Sequence, residues 1–66
     1  MALMFSRHAR EQMILRGISE KEVEEAMKRG SKELQMPNKI IFNYRYFCVV
    51  TKKFKENYFI ITVKPR

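Results

Sequence analysis

Two patterns of apolar residues divide the chain near residue 30. Between Ser6 and Arg29 the apolar positions recur at helical spacing, and from Ser31 onward they crowd into β-branched and aromatic runs. Ser6 is a good N-cap, and Ala9 and Met13 follow at i+3 and i+7, which predicts a helix near residues 7–16 closed by Gly17. The next segment is the best specified. Ser19 and Glu22 have the S-x-x-E spacing of a capping box, Ile18 and Val23 fill the two positions of a hydrophobic staple, and Val23, Ala26 and Met27 form a narrow stripe. Gly30 after Lys28-Arg29 suits a helix end, so a second helix is expected near 20–29, hinged to the first at Gly17-Ile18.

Strand signals fill the rest. Lys32 to Gln35 reads as a short strand before the turn signal Pro37-Asn38. Lys39 to Lys53 reads as one long strand, centred on residues near 39–52, and Asn57 to Lys64 as its partner across the polar break Lys55-Glu56-Asn57. Strands of about fifteen residues are uncommon, so a bend or bulge is expected near Asn43-Tyr44-Arg45. Leu3 to Phe5 can add a short strand at the sheet edge. The expected fold class is α+β, one domain over residues 1–66. A helical hairpin packs on one face of a small curved antiparallel sheet, ααβββ with a short N-terminal strand.

Parity sorts the two faces of such a sheet. With residues 39–52 read as one strand, the most apolar sets are the even residues Ile40 to Val50 and the odd residues Phe59, Ile61 and Val63. These should lie under the helices, with Val23, Met27, Phe59, Ile61 and Val63 buried. The other face then displays Asn43, Arg45, Thr51, Tyr58, Thr62 and Lys64, with Arg45 opposite Lys64 or Arg66. Like charges directly opposite one another destabilise a sheet unless both heads reach water or share an anion.

Charge sharpens this picture. The net charge is +7, and residues 31–66 carry most of it, with eight Lys/Arg against Glu33 and Glu56. An excess confined to one half is the footprint of a nucleic-acid binder or of a partner for an acidic protein. The helix pair is a poor DNA reader, because Glu20, Glu22, Glu24 and Glu25 line the second helix. Arg7, His8 and Arg10 fall in the first turns of the first helix, where cations are disfavoured, so either an anion such as phosphate sits there or the side chains turn into solvent.

Cys48 is the only cysteine and His8 the only histidine, which argues against a disulfide, a metal site or a Cys–His nucleophile; no cofactor is expected. A chain this short is marginally stable alone, so a homodimer or another partner chain is a reasonable expectation. Met1 to Phe5 has no basic leader region, and no apolar run reaches membrane-span length, so a cytoplasmic chain without a membrane partner is expected.

The string His8-Ala9-Arg10, Gln12-Met13 and Arg16-Gly17-Ile18-Ser19, with Glu22-Val23 and Ala26 beyond, resembles a family of small uncharacterised prokaryotic domains. That family is itself similar to the RelE/ParE/BrnT-like superfamily of toxin–antitoxin toxins. The likeness extends through Tyr44-Arg45-Tyr46-Phe47 to Ile61-Thr62-Val63-Lys64-Pro65-Arg66. It implies a helix-covered sheet with function on the other face, where RelE-like toxins act on mRNA, often within the ribosome, and ParE-like toxins on a topoisomerase, both held in check by a cognate acidic antitoxin. The absence of any histidine after position 8 departs from the better-known ribonucleases of this kind.

Metal-independent RNA cleavage needs a base, a cation on the phosphorane and an acid. Arg45, Lys64 and His8 are the catalytic candidates here. Arg7, Arg10 and Arg66 are candidates for phosphate, and Tyr44, Tyr46 and Tyr58 for stacking a base. The expected function is the toxin component of a toxin–antitoxin-like module that binds RNA, with metal-independent mRNA cleavage as the further activity these candidates would serve. The alternative is a non-catalytic interaction module whose basic sheet face binds an acidic protein or peptide.

Overall fold

The computed structural model describes residues 2–35 and 37–66. Strand β1 (Leu3–Phe5) leads into helices α1 (Arg7–Arg16) and α2 (Glu20–Arg29), then strands β2 (Ser31–Gln35), β3 (Lys39–Tyr44), β4 (Phe47–Phe54) and β5 (Asn57–Pro65). The five strands form one sheet in the order β1-β5-β4-β3-β2. β1 runs parallel to β5 and all other neighbours are antiparallel, so the sheet is mixed. Both helices lie on one face, α1 over β5 and α2 over β3 and β4.

Each helix starts where its cap places it. Ser19 Oγ accepts from the Glu22 N–H at 3.2 Å and Glu22 Oε1 accepts from the Ser19 N–H at 3.0 Å, the reciprocal pair of a capping box. Ile18 and Val23, the staple residues, are both buried. Ser6 does two jobs. Its Oγ accepts from the Ala9 N–H at 2.9 Å and donates to the Ile61 carbonyl at 2.7 Å, so the start of α1 is fastened to β5. Gly17 ends α1 in the left-handed region at φ 68, with Ile18 N–H donating to Met13 O and Gly17 N–H to Ile14 O, a Schellman closure. Gly30 has another reason to be glycine. Its φ is −75, but a Cβ there would stand 2.5 Å from the carbonyl oxygens of both Ala26 and Asn43, so α2 leaves directly against β3.

The long strand expected over 39–52 is two strands. Arg45 and Tyr46 form a two-residue turn, with Tyr44 opposite Phe47, and Arg45 adopts φ 52. The expected bend is therefore a full reversal. The turn also reverses parity, so the helix-facing residues are even in β3 (Ile40, Phe42, Tyr44) and odd in β4 (Phe47, Val49, Thr51). A second shift occurs in β5. Val50 pairs with Thr62 but Thr51 with Ile60, so Ile61 is an extra, bulged residue. Tyr58 and Ile60 face the helices before it and Val63 after it.

The expected burial set is thus corrected. Val23 and Val63 are fully buried, and Met27 is half-buried against the helix-side core. Phe59 is exposed, and Ile61 packs with Ile41, Cys48 and Val50 in a second cluster away from the main core. Thr51, expected on the free face, is fully buried and donates from Oγ1 to the Ile40 carbonyl at 2.8 Å.

Candidate functional site

Pairing and alternation together lay out the face of the sheet that the helices leave free. One row across it runs Ser31, Asn43, Cys48, Lys64, and the next runs Glu33, Ile41, Val50, Thr62. The third runs Gln35, Lys39, Lys52, Phe59, Met4. The centre is apolar, with Ile41, Cys48 and Val50 buried and Ile61 beside them. Lys64 stands at one end of the face, and Lys39 and Lys52 at the other.

Lys39 and Lys52 are direct cross-strand partners, the like-charge arrangement that a sheet tolerates only with solvent or an anion between the heads. Phe59, opposite Lys52 on its other side, is 38% exposed. Among the described residues the ion pairs are Arg7–Glu11 at 3.8 Å and Arg10–Glu20 at 3.4 Å, both on the helical layer. The lysines of the free face thus have no carboxylate partner.

Arg45 stands outside that face. It is exposed in the β3–β4 turn, its guanidinium 5.1 Å from the Tyr44 ring centre. It is not opposite Lys64, which pairs with Cys48. Arg66 does reach this turn. Its N–H donates to the Tyr46 carbonyl at 3.0 Å and its Nη1 to the Arg45 carbonyl at 3.4 Å. Tyr46 is exposed, edge-on to Phe47, and borders a hollow of about 300 Å³ with Leu15, Arg16, Ile18, Phe47 and Pro65.

The remaining candidates belong to the helical layer. Tyr44 is half-buried on the helix side, where its hydroxyl donates to Glu25 Oε2 at 3.4 Å. Tyr58, expected on the free face, instead packs edge-on against Phe42 in the helix-side core. Arg10 ties α1 to α2 through Glu20 and lies 5.0 Å over the Phe5 ring, and Arg7 pairs with Glu11 one turn ahead. Those contacts account for the two arginines without a bound anion. His8 is exposed on α1, which lies on the face opposite Lys64.

The structure therefore brings Arg45, Tyr46 and Arg66 together, leaves Lys64 on the free face and sets His8 apart. It adds Lys52 and Phe59, which the parity assignment put on the helix side, and Lys39, whose cross-strand partner that assignment did not identify. Counting outward from Lys55-Glu56 reaches Lys52 opposite Phe59 directly, and reading Arg45-Tyr46 as a two-residue turn places Lys39 opposite Lys52.

Among the described residues no three His, Cys, Asp or Glu side chains gather as a metal site, and no helix is long and apolar enough to cross a membrane. No curated protein and no solved structure matches the chain. A family model does match, over residues 5–64, and on that match the chain belongs to DUF4258, a domain of unknown function.

Proposed function

We propose that this domain binds single-stranded RNA across the helix-free face of its sheet, as a toxin-like relative of the RelE/BrnT group. One observation carries the reading: Lys39 and Lys52 sit directly opposite each other, without carboxylate partners, beside the exposed ring of Phe59. Phosphate between the two ammonium groups relieves their repulsion, and a base stacks on the ring, the combination by which single strands are held. Lys64 at the far end of the face extends the track.

Binding is favoured over cleavage by the placement of the catalytic candidates. Arg45 is on a turn, Lys64 on the free face, and His8 on the helical layer. A cation, a base and an acid gathered around one phosphate would require them on one side of the sheet. The interaction-module reading has its own support in the apolar centre of the same face, which suits an acidic protein that also carries apolar side chains.

The test is fluorescence anisotropy with a labelled oligouridylate over a range of salt. Each phosphate contact contributes about 0.7 to the log–log salt slope for a single strand. Lys52→Ala should weaken binding and lower the slope by about that amount, while Phe59→Ala should weaken binding at unchanged slope, by about 1–3 kcal/mol. Unchanged affinity in both variants removes RNA from this face. Inducible expression with growth and RNA-integrity readouts then tests the toxin role: arrest supports it, and arrest with cleaved RNA would overturn the preference for binding alone.

A further inference from the structure

The sheet has two edges, and they are unequal. β1 offers three residues, but β2 offers five, Ser31 to Gln35, all exposed. The backbone directions along β2 follow from Gly30. Asn43's carbonyl points at β2, since it lies 2.5 Å from where a Gly30 Cβ would stand. Bonded pairs alternate in an antiparallel ladder, so Ser31, Glu33 and Gln35 exchange hydrogen bonds with Asn43, Ile41 and Lys39. Lys32 and Leu34 therefore turn their N–H and C=O groups outward, toward the open edge.

Little guards that edge. Lysines often shield exposed strands, but Lys32 lies back over the sheet with its Nζ 5.8 Å from the Phe42 ring centre. Leu34 is 74% exposed and borders a hollow of about 270 Å³ shared with Ile40, Lys39 and Lys53. We infer that the open edge of β2 docks an extended acidic segment of a partner protein, which joins the sheet as one more strand.

A second copy of this chain is a poor occupant. Antiparallel pairing of two β2 edges about a two-fold axis matches outward residues to outward residues. Lys32 opposite Leu34 sets Glu33 directly against Glu33 of the other copy, and Lys32 opposite Lys32 stacks two cations. Leu34 opposite Leu34 leaves only Glu33 to Gln35 in the ladder. A different segment escapes these conflicts when it sets a carboxylate opposite Lys32 and an apolar side chain opposite Leu34, over the hollow. The neighbouring charge agrees, since Lys32, Lys39, Lys52 and Lys53 face a single carboxylate, Glu33, on strands β2 to β4. Backbone bonds supply affinity in such strand addition and alternate side chains supply selectivity. This inference is independent of the RNA reading, which concerns the sheet face.

The experiment is titration of the isotope-labelled protein with the capped octapeptide Thr-Val-Thr-Glu-Thr-Val-Thr-Glu, followed by NMR and amide exchange. Saturable binding should slow exchange at the Lys32 and Leu34 amides, and the peptide with lysine in place of glutamate should bind about ten-fold more weakly. Leu34→Pro removes an outward N–H and leaves the β3 ladder intact, so it should cost about ten-fold or more, against about three-fold or less for Leu34→Ala. A peptide methylated on alternate backbone nitrogens checks the same bonds without altering the protein, and it too should lose binding. Phe59→Ala should leave peptide affinity unchanged. Equal losses for the two Leu34 variants, protection confined to the free face, or no saturable binding would each overturn the inference. So would protection of Lys32 and Leu34 in a peptide-free dimer.

Discussion

Ser6 offers the sharpest test of how the helical layer is joined to the sheet, because one hydroxyl serves both. Ser6→Ala removes the Oγ that accepts from the Ala9 N–H and that donates to the bulged Ile61 carbonyl. The cap alone is worth about 1 kcal/mol. The second bond adds about 1 kcal/mol more, as it joins partly buried groups 55 residues apart in sequence. Ser19→Ala is the matched control. It removes an N-cap of the same chemistry whose bonds lie on the surface within one helix turn, so it should cost about 1 kcal/mol. For a domain of this size the expected fall in melting temperature is then about 8–16 °C at Ser6 and about 4–8 °C at Ser19. Urea denaturation supplies the free energies, and NMR shifts over residues 59–63 report whether the bulge moves. Equal losses at the two sites, with shifts confined to α1, would refute the view that Ser6 fastens the helix to the bulge.

Three further substitutions test other joints. Gly30→Ala should cost about 3 kcal/mol in denaturant unfolding, because the new methyl group meets two backbone carbonyls that cannot swing aside. Arg45→Gly should raise stability by up to about 1 kcal/mol, since Arg45 holds a positive φ that glycine adopts without strain, and a lower melting temperature would contradict this. Lys39→Thr should likewise stabilise the free protein by a few tenths of a kcal/mol by ending its repulsion with Lys52, while weakening RNA binding in the anisotropy assay.

The helical half of the chain was legible because its determinants are local. Caps, staple and the Gly17 closure each act within five residues, so spacing alone locates them. The sheet half was legible in composition and misread in register. Arg45-Tyr46 carries none of the Gly, Asn or Asp that mark a two-residue hairpin turn. The reversal agrees with packing, since Phe42 and Val49 both need the helix-side core and an unbroken strand would put them on opposite faces. Likewise nothing in Phe59-Ile60-Ile61-Thr62 marks which residue bulges. The choice falls on Ile61 because its carbonyl meets Ser6, a contact between residues at opposite ends of the chain. The Arg10 pairing with Glu20 was hidden for the same reason, as it depends on the angle between two helices.

Those two parity reversals decide what the free face presents. Read as a single strand, residues 39–52 put Arg45 on that face and made it the natural anion site. With the turn in place Arg45 moves to a corner, and each strand that follows is turned over relative to that reading. Cys48, Val50 and Lys52 come to the free side, and Phe47, Val49 and Thr51 go to the core. In β5 the turn at Lys55-Glu56 brings Phe59 beside Lys52, and the bulge then restores Val63 to the core and Lys64 to the free face. Had β5 run without the bulge, Val63 and Lys64 would exchange sides, burying an ammonium group under the helices, which is far more costly than one unpaired residue in a ladder. The bulge is thus the cheapest way to satisfy Ile60, Val63 and Lys64 at once. The basic rim of the free face and the fastening of α1 to the sheet both follow from that one extra residue.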